Sequence, residues 1–393
     1  MRAAIDTGGA TLQPKSGQAR VAEKRAAEDS RHRLAPKRWA PPLPADPFVT
    51  IVIPSFNEES YIEGVVRGAL EQRWPADRLE VLVVDGRSHD ATRAIVARMA
   101  ATDPRVRLLD NPARYQSAGM NVAIAAARGD VIVRMDAHAE YDGNFVEASV
   151  RALRTSGAMN AGGAARPKAK GYFQRAVCAA LKSPMGVGGS AYRNPDNEGY
   201  VESVWGGAFR REAFEIAGLY DPEAITNEDA ELNQRIIEAG FAIYLSKDVV
   251  AYYYPRNTLE GLMRQYFSYG QGRARTVLAR GKLLSLRPVI PFATVTGFAL
   301  LGGLSAVLPG ASSLLAAAAC VYGGLVVAEA VRVARREALS LLPVLLVIFP
   351  VMHASHGAGF WSGLIRWAHA KLQSGAWHAA PLPIARRAEI TRG

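Results

Sequence analysis

The stretch Phe48–Pro54 (FVTIVIP) is the first of four short apolar runs that decide the fold. It is followed by Leu79–Asp85 (LEVLVVD), by the weaker run Val106–Leu109 and by Val131–Asp136 (VIVRMD), with helix-length segments between them. Strands that are apolar throughout and alternate with helices are typical of a parallel sheet that is covered on both faces. The sequence therefore predicts an α/β fold with a mostly parallel sheet and helices on both faces.

Polar residues follow three of these runs directly. Ser55–Glu58 comes after the first, Asp85–Asp90 closes the second, and Asp136–His138 closes the fourth. In open sheets of this kind, ligands bind beyond the carboxyl ends of the strands. The three polar segments are therefore expected to meet around one ligand.

Asp136 and His138 lie two residues apart at a strand end, where alternation points both side chains to the same side. Two such ligands can hold a divalent cation that also binds a diphosphate. A carboxylate suits Mg²⁺ or Mn²⁺, and an imidazole shifts the preference toward Mn²⁺. On spacing alone, an aspartate that caps the next turn is the more common reading.

Asp85, Ser88 and Asp90 form a second cluster. A carboxylate after the second strand of an α/β unit can accept hydrogen bonds from a ribose or a base, which favours a ligand role for Asp85. Asp90 either shares that role or is the N-cap of the helix that starts near Ala91.

A third cluster, Thr226-Asn227-Glu228-Asp229, precedes a helical segment that ends at Gly240. An acceptor hydroxyl must lose its proton to become a nucleophile, and Asp229 can be the general base that takes it. The same residues match a capping box, which would make the cluster structural. Both interpretations can hold at once.

The C-terminal part of the chain contains three apolar runs: Val289–Leu308, Ser312–Ala328 and Leu339–Leu364. About 20 apolar residues span a bilayer, so two to three transmembrane helices are predicted, with the first two runs as the better candidates. The third run contains Pro350 and His353 and either spans or is re-entrant. Buried core helices are the alternative, but such helices rarely run this long without charge.

Basic residues flank these runs. Seven Lys/Arg and one acid, Glu260, lie between Arg256 and Arg287, and Arg335 and Arg336 follow the second run. Basic flanks mark the cytoplasmic side. We therefore expect a multi-pass protein of the inner (cytoplasmic) membrane whose globular domain faces the cytoplasm. The arginines before the first run either meet an anionic ligand at the membrane face or form a solvated helix face near anionic lipid.

The net charge of +11 arises partly in an Ala-, Arg- and Pro-rich N-terminal arm. Because basic residues cluster in this arm and beside apolar runs rather than on one recognition face, no nucleic-acid partner is expected. The predicted order is a disordered basic arm (1–47), an α/β catalytic domain (48–255), a basic interfacial segment (256–288), transmembrane helices (289–365) and a C-terminal tail (366–393).

Four blocks together resemble glycosyltransferase family 2: Val52–Glu58, Val84–Thr92, Asp136–His138 and Asn227–Asp229. They occur in the family's order over roughly residues 48–285. The subgroup they resemble is the succinoglycan-biosynthesis type, which carries Asp-Ala-His in place of Asp-x-Asp. The resemblance implies a GT-A fold, which is Rossmann-like, followed by C-terminal transmembrane helices.

The resemblance also implies roles for individual residues. Asp136 and His138 would hold Mn²⁺ or Mg²⁺, Asp229 would be the catalytic base with Glu228 beside it, and Trp205-Gly206-Gly207 would shape the acceptor site. The residues on the donor side would be Pro54, Ser55, Asn57, Glu58, Asp85, Ser88, Gly119, Asn121 and Asp136.

The implied reaction is an inverting transfer from a nucleotide-diphosphate sugar, a UDP-sugar in our interpretation, to a polyprenyl-diphosphate-linked saccharide. The product would enter an exopolysaccharide or another cell-envelope glycan. Processive members carry Gln-x-x-Arg-Trp, and the matching region, Arg264–Arg273, lacks the Trp. Transfer of one sugar is therefore expected. The alternatives are a processive polysaccharide synthase, a nucleotidyltransferase, and a non-enzymatic membrane scaffold that binds nucleotide-sugar.

Overall fold

The computed structural model describes residues 34–187, 191–222, 228–280 and 289–374. Within these residues an eight-stranded sheet has the order β3-β2-β1-β4-β9-β6-β10-β8, and a three-stranded sheet has the order β5-β11-β7. The strands are β1 (Val49–Ser55), β2 (Leu79–Asp85), β3 (Val106–Asp110), β4 (Val131–Arg134), β5 (Ala139–Tyr141), β6 (Asn160–Gly163), β7 (Arg166–Pro167), β8 (Gly199–Val201), β9 (Trp205–Arg210), β10 (Ile243–Leu245) and β11 (Ala251–Tyr253).

Helices connect and cover the strands. They are α1 (Ile62–Leu70), α2 (Thr92–Thr102), α3 (Gln116–Ala126), α4 (Phe145–Ser156), α5 (Tyr172–Leu181), α6 (Pro184–Val187), α7 (Glu212–Ala217), α8 (Glu228–Glu238), α9 (Leu259–Arg280), α10 (Val289–Leu304), α11 (Ala311–Glu337) and α12 (Leu342–Ser374).

The half of the large sheet that begins the domain is parallel: β1 pairs in parallel with β2 and β4, and β2 pairs in parallel with β3. β9 enters antiparallel between β4 and β6. The predicted α/β fold with a mostly parallel sheet is therefore confirmed. Because β1, β2 and β4 run side by side in parallel, the loops that follow them meet at one edge of the sheet.

The apolar runs are continuous because each central strand is buried on both faces. Ile51 and Ile53 of β1 belong to a core cluster that includes Phe145 of α4. Val52, which points the other way, belongs to a second cluster with Met120 of α3 and Leu232 of α8. The sheet thus separates two cores, and both hold the strand ends in place.

Residues 34–47 differ from the disordered arm expected for 1–47. The backbone N–H groups of Lys37 and Arg38 both donate to the carbonyl of Gly240 at 2.9 Å. Trp39 lies directly over Gly157, where an added Cβ would come within 2.3 Å of the ring. Pro41 accepts a hydrogen bond from the buried Arg210. The ring of Trp39 and backbone hydrogen bonds with Gly240 and Arg210 thus attach this segment to the domain. The amino-acid composition of the segment does not indicate these contacts.

The C-terminal helices pack on the domain through small residues. α9 crosses α12 so closely that a Cβ on Gly270 would lie 2.1 Å from the carbonyl oxygen of His356, and one on Gly359 would lie 2.0 Å from that of Phe267. Residues of α5 form a further apolar cluster with α11 and α12, which includes Leu181 and Phe349. The globular domain and the apolar helices therefore share a packed junction.

Two helical segments are long and apolar enough to cross a membrane, Ala311–Glu337 and Leu339–His369. Their large side chains are widely exposed, as for Leu314 at 63% and Val321 at 65%. α10 has 16 described residues, roughly 24 Å at about 1.5 Å per residue, which is short of the ~30 Å hydrocarbon core. Among the residues that the structure describes, the third apolar run rather than the first therefore supplies the second helix of spanning length.

Candidate active site

The loops after β1 and β2 are joined by reciprocal hydrogen bonds. Asn57 has a positive φ of 55°. Its backbone N–H donates to Ser88 Oγ at 2.8 Å, and its Oδ1 accepts from the N–H of His89 at 2.9 Å. Pro54 and Ser55 end β1 beside this loop, and the buried Ser55 Oγ has no hydrogen-bond partner. The structure thus brings four of the predicted donor-side residues together at one sheet edge.

Asp85 is fully buried and organises the second loop. Its carboxylate accepts from Ser88 N–H at 3.0 Å and Ser88 Oγ at 2.5 Å, and from Arg93 Nη1 at 2.8 Å. Asp90 lies one residue before Ala91, the N-cap of α2, and its carboxylate accepts from the N–H of Thr92 at 3.0 Å and from that of Glu59 in the first loop at 3.1 Å. Arg93, which is 41% exposed at its side chain, also pairs with Asp110 at 2.8 Å and so joins the ends of β2 and β3.

Glu58 and His138 connect the first loop to the end of β4. The Nδ1 of His138 lies 3.0 Å from Glu58 Oε1. This hydrogen bond raises the pKa of His138, with burial opposing it and Asp136 adding to the rise. The contact fixes the ring and directs Nε2 away from Glu58, as carboxylates do for metal-binding imidazoles.

Arg134 occupies the centre of the site, with its side chain 9% exposed. Its Nε donates to Asp136 Oδ1 at 2.9 Å, and its Nη1 donates to Glu228 Oε1 at 3.1 Å and Asp229 Oδ2 at 2.7 Å. One guanidinium thus joins the strand-end carboxylate to both acids at the start of α8. The preceding residues of the predicted cluster, Thr226 and Asn227, lie outside the described residues.

The carboxylates around Arg134 differ in their proton affinity. Burial tends to raise the pKa of Asp136, but Arg134 and then His138 outweigh it, so the pKa is lowered. Burial, followed by the charge of Asp229, raises the pKa of Glu228 to about 7 against the opposing effect of Arg134. Asp229 Oδ1 is buried, and the hydroxyl of the buried Tyr220 lies beside the Asp229 carboxylate, which raises the pKa of Tyr220 together with burial. The site therefore contains one firmly ionised carboxylate, Asp136, one that binds a proton near neutrality, Glu228, and one that is partly exposed, Asp229.

Gly119 and Asn121 have structural contacts in α3. A Cβ on Gly119 would lie 2.9 Å from the side-chain amide of Asn111. The side chain of Asn121 donates to the Tyr220 carbonyl at 2.8 Å and accepts from its N–H at 2.9 Å. Asn121 thus holds the segment that leads to α8, and its donor-side role stays a prediction.

An aromatic series leads from the strand end of β4 toward β11. The hydroxyl of Tyr141 accepts from the N–H of Asp136, and its ring is stacked on Trp205 at 6.3 Å between centroids. Trp205 in turn lies 5.6 Å from Tyr253. Gly206, with φ of 60°, lets the backbone turn beside Arg134. The predicted acceptor segment is therefore adjacent to the carboxylates.

The donor set of Asp136 and His138 fits a divalent cation. Arg134 takes one oxygen of Asp136, and the hydrogen bonds among the described residues leave Oδ2 without a partner, as they leave Nε2 of His138. Across the described ranges no group of three or more His, Cys, Asp or Glu side chains could hold a metal ion. A two-ligand site is consistent with Mg²⁺ or Mn²⁺, which keep waters and substrate phosphates as further ligands.

This site can be set beside known proteins. The family model "Glycosyl transferase family 2" matches residues 50–216. The "Succinoglycan biosynthesis protein ExoA" of Rhizobium meliloti (strain 1021) is 36% identical over 321 residues, 80% of this chain and 94% of that protein. The chain belongs to glycosyl transferase family 2. It is a glycosyltransferase, as the four sequence blocks predicted.

A relative from Methanococcus voltae is similar over 81% of this chain and 98% of its own length at 27% identity. It is a dolichyl N-acetyl-alpha-D-glucosaminyl phosphate 3-beta-D-2,3-diacetamido-2,3-dideoxy-beta-D-glucuronosyltransferase. The mannosyltransferase PcManGT from Pyrobaculum calidifontis, solved with GDP-Man and Mn²⁺, aligns with a TM-score of 0.58 at 22% identity, covering 89% of this chain and 96% of that one. That likeness confirms the GT-A fold.

Sequence reasoning missed Arg134, Arg93 and Tyr141, which hold the predicted site residues in place. Arg134 had a signal, since it is a charged residue within a strand that is otherwise apolar and buried. A buried charge needs a partner, and the nearest unexplained acids were those of the site. Arg93 and Tyr141 carried no comparable signal, because exposed arginines and half-buried tyrosines are common.

Proposed function

We propose that this glycosyltransferase is membrane-anchored and inverting, and that it transfers a sugar from a nucleotide-diphosphate sugar, which we assign as a UDP-sugar, to a polyprenyl-diphosphate-linked saccharide. The observation that carries the proposal is the bridge made by Arg134. It places a strand-end carboxylate suited to the donor's metal beside two helix-start acids suited to the acceptor. The guanidinium of Arg134 thus contacts both the carboxylate assigned to the donor's metal and the two carboxylates assigned to the acceptor.

Asp229 is the general base in this proposal. Its Oδ2 is held by Arg134, which fixes a carboxylate that can take the proton of an acceptor hydroxyl. Its side chain is 32% exposed, against 9% for Glu228. Glu228 is the more buried neighbour of Asp229, and the charge of Glu228 changes the electrostatic potential at the Asp229 carboxylate. Attack by the deprotonated hydroxyl in a single displacement inverts the anomeric centre.

The donor side consists of the two loops joined by Asn57 and Ser88, with Pro54, Ser55 and Glu58 beside them. Asp85 positions Ser88 and Arg93, which we assign to the nucleoside. Asp136 and His138 would hold Mn²⁺ or Mg²⁺, and the bound cation would supply positive charge to stabilise the leaving diphosphate. Arg134 keeps Asp136 ionised, so that this carboxylate is ready to bind a cation at neutral pH.

Membrane anchoring rests on the two helical segments of spanning length and on their packing against α5 and α9. Such an anchor keeps the site at the bilayer surface, where a lipid-linked acceptor is found. The relative from Methanococcus voltae is named for a dolichyl-linked substrate, which supports an acceptor of this class. We place the catalytic domain on the cytoplasmic face, because it touches the C-terminal end of α11, where Lys182 pairs with Glu337 at 2.9 Å. Arg335 and Arg336 in the last turn of α11 give that end the basic character of the cytoplasmic side.

The test uses membranes that contain the full chain, incubated with radiolabelled UDP-glucose, UDP-galactose and other nucleotide sugars, a lipid extract, and either Mn²⁺ or EDTA. We expect metal-dependent label in the organic phase, lost in Asp229→Asn and retained in the exposed control Asp77→Asn. Label in high-molecular-weight polymer would identify a processive synthase instead. Release of pyrophosphate would identify a nucleotidyltransferase, and donor binding without transfer in any lipid extract would favour the scaffold.

A further inference from the structure

Two arginines at the junction with the apolar helices have no ion-pair partner in the described part of the chain. Arg193 ends a short 3₁₀ turn, Ala191–Arg193, and Arg273 lies on α9. Charged side chains that lose water are ordinarily paired, because an uncompensated buried charge is costly. A bound anion would therefore compensate the positive charge of these two guanidiniums.

Arg193 is enclosed by tyrosines rather than carboxylates. It donates from Nη1 to the hydroxyl of Tyr253, and its guanidinium lies 5.1 Å from the ring of Tyr192. Burial raises the pKa of Tyr269 to about 12, with the charge of Arg193 opposing the rise, so this guanidinium also faces α9. The Nε of Arg193 is buried and has no hydrogen-bond partner. The Nε–H of Arg193 is thus a hydrogen-bond donor without an acceptor, and it is surrounded by tyrosine side chains.

Arg273 lies on α9, one helical turn after Tyr269, which faces Arg193. It lies one helical turn after Gly270, where α9 crosses the backbone of His356. The Nδ1 of His356 is likewise buried without a hydrogen-bond partner. Burial lowers the pKa of Arg273, and Tyr192, then Glu202, act against that fall. Tyr192, whose ring lies 5.1 Å from the guanidinium of Arg193, is therefore near Arg273 as well.

The cluster is connected to the catalytic site by the aromatic series. The guanidinium of Arg193 lies 5.8 Å from the ring of Tyr253, Tyr253 lies 5.6 Å from Trp205, and Tyr141 beyond it binds the backbone of Asp136. An anion at the two arginines would thus sit on the membrane side of the acceptor segment, with the carboxylates at the opposite end.

We infer that Arg193 and Arg273 bind the phosphate groups of the lipid-linked acceptor. Arginine suits this task because its planar fork donates to two phosphate oxygens at once. The position next to the apolar helices leaves room for a lipid chain on one side and for the saccharide along Trp205 on the other. The inference rests on the proposed function for the identity of the acceptor. A phospholipid headgroup offers the same phosphate chemistry and is separated from it by the test.

The test measures binding by the full chain in detergent, with farnesyl diphosphate as the probe and UDP as the reference. We expect Arg193→Met and Arg273→Met each to raise the Kd for farnesyl diphosphate on the order of ten- to a hundredfold, the loss expected for a hydrogen bond to a charged group. UDP binding should stay unchanged, because neither arginine touches the donor loops. Arg264→Gln is the matched control on the same helix, since Arg264 is 77% exposed and pairs with Glu260.

Thermal unfolding of each variant separates loss of the site from loss of the fold, and Arg193→Lys keeps the charge while removing the fork. Wild-type affinity in both methionine variants, or no binding of farnesyl diphosphate by the wild-type chain, would overturn the inference. The inference would also be overturned if the wild-type chain bound phosphatidylglycerol vesicles as tightly as farnesyl diphosphate and both methionine variants lost that binding. The two arginines would then bind phospholipid headgroups of the bilayer rather than the acceptor. Binding that behaves as expected without transfer from any nucleotide sugar would reject the proposed function and leave the anion site standing.

Discussion

Replacing Arg134 by methionine is the sharpest perturbation of the proposed site. The change keeps most of the apolar stem but removes the donors that Asp136, Glu228 and Asp229 share at 2.9, 3.1 and 2.7 Å. Because the side chain is only 9% exposed, solvent does not replace the lost partner. Removing one partner of a buried ion pair costs about 3–5 kcal/mol. At about 2–4 °C per kcal/mol, the unfolding midpoint should fall by roughly 6–20 °C.

The effect on catalysis should exceed the effect on folding. Asp229 loses the contact that fixes its carboxylate, and a positioned general base contributes about 10²–10⁴-fold to a rate. We therefore expect kcat per folded enzyme to fall on the order of 10²-fold or more in Arg134→Met. The affinity for Mn²⁺ in the presence of UDP should fall too, because Asp136 is no longer held ionised. The assay is transfer to the lipid phase, normalised to the folded fraction, together with Mn²⁺ titration.

Arg210→Met is the matched control. Arg210 is 2% exposed on the adjacent strand β9, and it donates only to backbone carbonyls, those of Ala158, Leu153 and Pro41. Its loss should destabilise the chain and leave kcat per folded enzyme unchanged. If Arg134→Met kept wild-type kcat, or if Arg210→Met lost as much, Arg134 would be a structural residue and the bridge would have no catalytic meaning.

Three further outcomes follow from the same geometry. Burial raises the pKa of Glu228 to about 7 in the folded state, above its unfolded value of about 4.5. The stability that the protonated Glu228 contributes is therefore fully present below about pH 4.5 and is lost as the pH rises through 7. Glu228→Gln should accordingly become more stable than wild type between pH 5 and 8, by on the order of 3 kcal/mol in urea titrations, and a pH-independent difference would refute this. His138→Gln should weaken Mn²⁺ binding measured with UDP on the order of tenfold or more while UDP binding without metal persists. Gly359→Ala, whose Cβ would lie 2.0 Å from the carbonyl of Phe267, should lower the unfolding midpoint by the equivalent of about 1–3 kcal/mol, whereas Gly323→Ala, with open space around it, should not.

The fold was predictable because its deciding signal is local. Continuous apolar runs such as Phe48–Pro54 can be satisfied only by a strand buried on both faces, and their alternation with helices determines the parallel order of β1 to β4. The antiparallel entry of β9 between β4 and β6 was not predictable, since it depends on pairings about 80 residues apart along the chain. The attachment of Trp39 and Pro41 to the domain depends on the surfaces they meet, Gly157 and Arg210. No composition rule describes those surfaces.

The candidate site was predictable to the extent that its residues follow strand ends. The expectation for Asp136 and His138 rested on strand alternation, whereas β4 ends at Arg134 and both residues lie in the turn that follows. Nor did the pattern indicate that Glu58 would orient the imidazole from 80 residues away. Likewise the capping box at Thr226–Asp229 did not show that Asp229 would meet Arg134. Such contacts join segments that the sequence separates, and only the assembled sheet brings them within hydrogen-bonding distance.

The arrangement also explains why one carboxylate of the pair at the start of α8 suits base catalysis better than the other. Two adjacent acids that share one guanidinium cannot both ionise easily, so the more buried one, Glu228, keeps its proton to higher pH. Asp229 is the more exposed of the two, and its Oδ2 is fixed by Arg134. The same guanidinium holds Asp136 ionised on the donor side. A change in either carboxylate is therefore felt by the other through Arg134, and double substitutions at Asp136 and Asp229 should be less than additive in kcat.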